Sequence, residues 1–256
     1  MKTQTPQGVR DLLPADVAKR NEVVDKINAV FEKYSYQRIV TPVLELYETL
    51  EKGLTPDMKK NSVKFIDRGG QLMVLRPDMT TPIARVVASR MKDAPGPIRL
   101  CYVENVFRSN KPGEGRDNEF CQIGIELIGL SGQEADDEVI KIARESLETI
   151  GLKNIEIDTG DLNRFKDFPD DKKEALVNGD YVSYGSLPDR DNLVVRDFNY
   201  YTGMIFECYV PEVGSLLGNG GRYDNLTGKF GVERPAVGFA FKLNQLMLAL
   251  EAQRSL

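Results

Sequence analysis

Apolar and polar positions alternate along this chain in two rhythms. Over residues 16–34, Val23, Val24, Ile27, Val30 and Phe31 recur at helical spacing with charges between them, which predicts an amphipathic helix. Over residues 36–41 the rhythm shortens to that of a strand, which Pro42 ends. Residues 64–67 and 72–76 flank Gly69-Gly70 in a hairpin pattern. Residues 80–91 return to helical spacing, with Ile83, Val87 and Met91 on one face and Pro82 in the first turn, where a missing N–H costs little. Two long strand-like runs follow, 98–108 and 119–130, separated by the polar loop 109–118 with its KPGEGR stretch. Ser131 and Glu134 form a capping-box pattern ahead of a helix over 134–150, which Gly151 stops. Strand patterns at 154–159, 194–196, 204–209 and 236–241 and a helix over 244–252 complete the chain. Residues 160–191 are polar and irregular, with room for one or two short helices. Hairpins and long neighbouring strands with irregularly placed helices predict an α+β fold on an antiparallel sheet, not a doubly wound one.

The strand FCQIGIELI is the most informative segment. At period two, Cys121, Ile123, Ile125 and Leu127 share one face, while Gln122, Gly124 and Glu126 share the other. The apolar face suits a core. The other carries an amide and a carboxylate separated by a glycine, which leaves room for a small ligand. A buried Glu needs donors or a cation, and a ligand ammonium would serve; a solvated face with Gly124 as a bulge explains the pattern equally well. In LRPDMTTPIAR, Arg76 and Asp78 fall at a strand-to-helix junction. Asp78 and Thr80 there are either helix caps or contacts for a substrate amine, and both readings stay open. VRDFNYYTG (195–203) joins an arginine, suited to carboxylates, with paired tyrosines that can wall a pocket. GNGGRYDNL (218–226) reads as a glycine-rich turn where backbone can approach a ligand.

Composition narrows the chemistry. With 41% hydrophobic and 29% charged residues over 256 positions, the chain has the make-up of a globular protein. A net charge of -5 argues against nucleic acid as a partner. Cys101, Cys121 and Cys208 lie far apart without a CxxC pair, so neither a disulfide framework nor a metal site is expected, and the thiols are read as buried in a reducing cytoplasm. The amino-terminal stretch has no apolar leader and no long apolar run follows, so no membrane association is expected. The chain holds no histidine at all, which removes Ser-His triads and histidine bases.

Taken together, these segments resemble the histidyl-tRNA synthetase family of class II aminoacyl-tRNA synthetase-like catalytic domains. The resemblance runs in order through PQGVRDLLP, YQRIVTPVLE, LCYVENVFR, DNEFCQIGIELIG, DFNYYTGMIFE, GGRYDNL and AVGFAFKLNQL. It implies an antiparallel sheet flanked by helices, one domain over residues 1–256, and a homodimer formed through the first class II motif at Pro42. It also implies histidine-binding roles for Asp78, Thr80, Arg108, Gln122, Glu126, Arg196, Tyr200 and Tyr201.

The departures from the family pattern concern ATP. An Arg-x-Glu expected in motif two is Arg108-Ser-Asn110 here, and Gly-Leu-Glu-Arg in motif three is Lys242-Leu-Asn-Gln245. Asn199 also replaces an Asp. Losing a guanidinium on phosphate removes a charge-assisted contact, so Asn110, Lys242 and Gln245 mark a degenerate ATP site. No anticodon-binding domain follows, and the segment 160–191 looks shortened where the family carries an insertion. LRPDMTTPIAR resembles the family's non-synthetase branch, the regulatory subunits of short-form ATP phosphoribosyltransferase, the first enzyme of histidine biosynthesis. That resemblance implies a non-catalytic, histidine-sensing subunit without cofactor that pairs with a short catalytic subunit. The alternative is a minimal domain that activates an amino acid with ATP.

Overall fold

The computed structural model describes residues 5–110, 117–169, 171, 173, 200–214 and 216–255. Helix α1 (Pro14–Lys33) opens on a proline and buries Val23, Ile27, Val30 and Phe31, the apolar stripe of the sequence. Strand β1 (Gln37–Arg38) is shorter than the expected strand. Next come β2 (Leu44–Leu46), α2 (Tyr47–Leu50), α3 (Pro56–Lys60) and the hairpin β3 (Lys64–Ile66) with β4 (Leu72–Leu75). Gly70 turns that hairpin at a φ of 82°, a region that only glycine enters freely. Helix α4 (Thr80–Arg90), the long strands β5 (Ile98–Phe107) and β6 (Glu119–Ile128), and helix α5 (Gln133–Thr149) follow. The remainder is β7 (Glu156–Asp161), a 3-10 turn at Leu162–Phe165, β8 (Met204–Tyr209), β9 (Gly218–Arg222), β10 (Ala236–Lys242) and α6 (Leu243–Arg254). The strand expected at 194–196 and Arg196 itself lie outside the described residues.

Seven strands form one sheet in the order β1-β5-β6-β10-β9-β8-β7, antiparallel except where β1 runs parallel to β5. The α+β prediction therefore holds. Helices α1, α5 and α6 cover one face, where Cys121, Ile123, Ile125 and Leu127 of β6 enter the main core. Helix α4 lies on the other face, packing Met79, Ile83 and Val87 against Leu100, Tyr102 and Tyr223. The three cysteines are buried and unbridged. A separate three-stranded sheet, β2-β4-β3, carries Val74 onto Leu50 and Leu54. Among the described residues, no helix is long and apolar enough to cross a membrane.

Two local expectations fail. The capping box at Ser131 and Glu134 does not form: Gly132, at φ 89°, takes the cap position with no side-chain cap. Its carbonyl instead accepts from Ala135 N at 3.2 Å and from Arg222 Nη2 at 3.2 Å. The glycine-rich segment beginning at Gly218 is a strand within the sheet, not a turn. Its glycines are demanded by close packing, since a Cβ on Gly218 would sit 2.5 Å from the Ala240 carbonyl oxygen and one on Gly220 2.5 Å from that of Gly238.

Candidate functional site

The junction between β4 and α4 lies over the sheet face that carries Gln122, Gly124 and Glu126. Asp78 is buried there at 3% exposure. Its Oδ2 accepts from the Thr81 amide at 3.3 Å, the Thr81 hydroxyl at 3.0 Å and, at 3.5 Å, the Tyr200 hydroxyl. Its Oδ1 is buried with no hydrogen-bond partner. One oxygen thus caps α4, while the other is left over on a residue that lines a cavity. Burial pushes the Asp78 carboxyl above its usual range, opposed by the Thr81 donors and the Arg108 charge. A buried acceptor without a donor is costly, and an ammonium group is the donor that would also stabilise its charge.

The cavity holds about 360 Å³. Six of the predicted residues line it: Asp78, Thr80, Arg108, Gln122, Tyr200 and Tyr201. Gln122 is fixed by accepting the Met79 amide on Oε1 at 3.1 Å. Arg108 donates from Nε to the Pro77 carbonyl at 3.1 Å and stacks over the Phe120 ring. The Tyr200 and Tyr201 rings meet edge to face with centroids 5.0 Å apart, in the loop before β8 and not inside a strand. The cavity therefore brings an anionic group, a cationic group and an aromatic wall to one small space, the donor set for a zwitterionic amino acid with a ring side chain.

Glu126 lies apart from these six. It is 1% exposed and does not line the cavity. Its Oε1 accepts from the Thr80 hydroxyl at 2.7 Å and from Tyr102 at 3.4 Å, and its Oε2 accepts a short hydrogen bond from Tyr223. Among the described residues, the donors to this carboxyl are hydroxyls of the protein. Gly124 also plays another part than leaving room for a ligand: a Cβ there would lie 2.0 Å from the Phe239 carbonyl and 2.8 Å from the Tyr102 hydroxyl. Tyr102 and Tyr223, which sequence reasoning missed, make Glu126 the centre of a buried hydroxyl network. The signal for Tyr102 was its place opposite Gly124 once the two long strands pair.

Burial raises Glu126 to about 8, against the three hydroxyls that favour its ionised form. Between the unfolded-state value near 4.5 and this raised one, the folded protein binds the extra proton, so stability falls as pH rises through that window. The slope contributed by this one group approaches but does not exceed about 1.4 kcal/mol per pH unit. Chemical denaturation at pH 5.5 and 7.5 should show the loss, and Glu126→Gln should flatten it; an equal slope in both proteins would contradict the assignment.

None of the residues assigned to the degenerate ATP site lines the cavity. The Asn110 amide donates to Asn118 Oδ1 at 2.9 Å, and its Nδ2 donates to the Asp117 carbonyl at 2.9 Å, so this side chain braces the base of the β5–β6 connection. Lys242 ends β10 opposite Gln122, and Gln245 stands in the first turn of α6. Among the described residues, no group of three acidic, cysteine or histidine side chains is placed to hold a metal ion.

The sequence matches the family described as histidyl-tRNA synthetase over residues 8–171 and 189–246. The chain belongs to that family. A curated relative named ATP phosphoribosyltransferase regulatory subunit, from Ruminiclostridium cellulolyticum, is 32% identical over 324 residues, covering 98% of this chain and 77% of the relative. This places the synthetase-like chain in the family's branch of ATP phosphoribosyltransferase regulatory subunits. A crystal structure described as an ATP phosphoribosyltransferase regulatory subunit/histidyl-tRNA synthetase from Bacillus halodurans superposes with a TM-score of 0.88 at 28% identity, covering 98% of this chain and 84% of that one. The apo S. aureus histidyl-tRNA synthetase superposes at 0.75 with 26% identity, over 98% of this chain and 71% of that one. The class II synthetase-like fold of this family member is thereby shown.

Proposed function

We propose that this family member is the non-catalytic regulatory subunit of a short-form ATP phosphoribosyltransferase, and that it senses histidine in the cavity beside Asp78. The carrying observation is the unpartnered Asp78 Oδ1 in a cavity that also holds Arg108 and the Tyr200–Tyr201 pair. An amino acid's ammonium would meet Asp78 and Thr80, its carboxylate Arg108, and its ring the tyrosines. Histidine then shifts the activity of the catalytic partner by binding two assembly states unequally. The reading includes a cytoplasmic location and one synthetase-like domain with a shortened insertion. Supporting the last point, the family match is interrupted between residues 171 and 189, and the alignment with the R. cellulolyticum relative runs over more residues than this chain contains.

The loss of ATP chemistry is part of the proposal. It is supported by Asn110, a neutral residue in place of a carboxylate, whose backbone N–H and Nδ2 donate to Asn118 and Asp117 at the hairpin base. Two assays test the reading together. The chain should co-sediment with a short-form catalytic subunit, and it should catalyse no histidine-dependent pyrophosphate exchange with ATP. Clear exchange by the chain alone would establish the amino-acid-activating alternative in its place.

A homodimer is also proposed, through the three-stranded sheet near the first class II motif. Leu44 pairs with Leu75, while Leu46 and Phe65 both pair with Met73, which puts these five apolar side chains on one face. Leu44, Leu46 and Phe65 are 49%, 42% and 39% exposed, and apolar clusters of this kind mark contact surfaces. Phe65→Glu should convert the dimer to monomers in analytical ultracentrifugation with little change in secondary structure. A dimer that survives this charge would move the interface elsewhere.

A further inference from the structure

Strand β9 contributes few side chains, and where they point is informative. Arg222 turns away from the cavity, donating from Nε to Asp136 at 3.0 Å on the α5 side of the sheet. Asn219 pairs with Ala240 on β10, which in turn pairs with Gly124 on β6, so it shares the cavity face with Gln122 and Glu126. With strands spaced about 4.8 Å apart, β9 lies roughly 10 Å from β6. The body of an amino acid fits between the Asp78–Gln122 end of the cavity and Asn219.

Other polar groups of the cavity have partners or assignments: Thr55 accepts from the Met58 amide, Asp57 from Asn61 and Gln122 from the Met79 amide. Asp78 suits an ammonium and Arg108 a carboxylate. The Tyr223 hydroxyl is given to Glu126, and Glu126 is saturated behind Thr80 and Tyr223. Asn219 lines the cavity and donates from Nδ2 to the Tyr201 hydroxyl oxygen at 2.8 Å. With Nδ2 as the end that meets Tyr201, Oδ1 is the acceptor end of the same group.

We propose that Asn219 determines side-chain specificity in this cavity: its carboxamide oxygen accepts a hydrogen bond from a ring N–H of the bound amino acid, while its nitrogen holds the Tyr201 hydroxyl in place. The proposal rests on the reading of the cavity as an amino-acid site and names the group that reads the ring. A site built around a hydrogen-bonding acceptor rejects an isostere without the donor, because the acceptor is then left unpaired.

The test compares L-histidine with L-β-(2-thienyl)alanine, whose five-membered ring has no N–H, by calorimetry on the full chain. Wild type should prefer histidine, and Asn219→Ala should reduce that preference about five- to tenfold, the worth of one neutral hydrogen bond. Asn219→Asp, which keeps an acceptor at the same place, should retain most of the preference. If wild type binds the two ligands equally, or if Asn219→Ala leaves their ratio unchanged while histidine still binds, the assignment of Asn219 is overturned and the amino-acid site stands. If neither ligand binds wild type, the amino-acid site itself is overturned, and the role of Asn219 with it.

Discussion

Asp78→Asn should weaken histidine binding at least about a hundredfold while leaving the melting temperature unchanged or higher. The affinity loss follows from removing the charged partner of a ligand ammonium in a buried site, a truncation that costs about 2–5 kcal/mol. The stability effect has the opposite sign. Asp78 is almost fully buried, and one of its oxygens has no donor; taking its charge away relieves a desolvation cost that folding otherwise carries. The asparagine oxygen can still accept from the Thr81 amide and hydroxyl, so the start of α4 keeps its cap. Calorimetric titration and a thermal melt on the same sample check both halves. A melting temperature several degrees lower would mean that Asp78 is chiefly a structural cap. An unchanged affinity would remove it from the site.

Arg76→Met should destabilise the protein by about 3–5 kcal/mol, the cost of breaking a buried charged network from one side. Arg76 is 1% exposed and donates to the Asn105 carbonyl at 2.9 Å, the Thr41 carbonyl at 2.6 Å and Glu104 at 2.8 Å. It ties the segment ahead of β2 to β5, two residues before Asp78 in the chain. Further along α4, Arg85 meets Glu45 of β2 at 2.6 Å. Arg76 therefore ties the junction that carries the cavity's carboxylate to β5, and Arg85 ties α4 to the proposed dimer sheet. Urea unfolding of wild type and variant measures the cost. A loss below about 1 kcal/mol would place Arg76 among ordinary surface pairs and contradict its burial.

The periodic parts of the fold were legible in the sequence for a plain reason. The two faces of β6 and the stripe of α1 are written in local spacing, and burial simply follows it. The grouping of the site candidates was legible in part: six of the seven that fall among the described residues line one cavity, because the order of motifs along the chain carries that information where local pattern does not. The failures share one physical origin, which is contact across strands. Glu126 looked like a ligand group because a buried carboxylate needs donors, yet the donors are Thr80, Tyr102 and Tyr223, each far away in sequence. The glycines from Gly218 onward suggested a turn because their local propensity is low in strands; neighbouring strands leave no room for a Cβ, and packing overrides propensity. Ser131 met the capping pattern, but Gly132 at positive φ took the cap position.

The central claim, that this chain regulates a catalytic partner through bound histidine, is tested most directly by one measurement. It is the turnover of a short-form ATP phosphoribosyltransferase catalytic subunit alone, with this chain, and with this chain plus histidine. The account predicts that the chain raises turnover, that histidine lowers it again, and that the Asp78→Asn chain raises it but no longer responds to histidine. Turnover unaffected by the chain, or histidine inhibition that persists undiminished with Asp78→Asn, would contradict it.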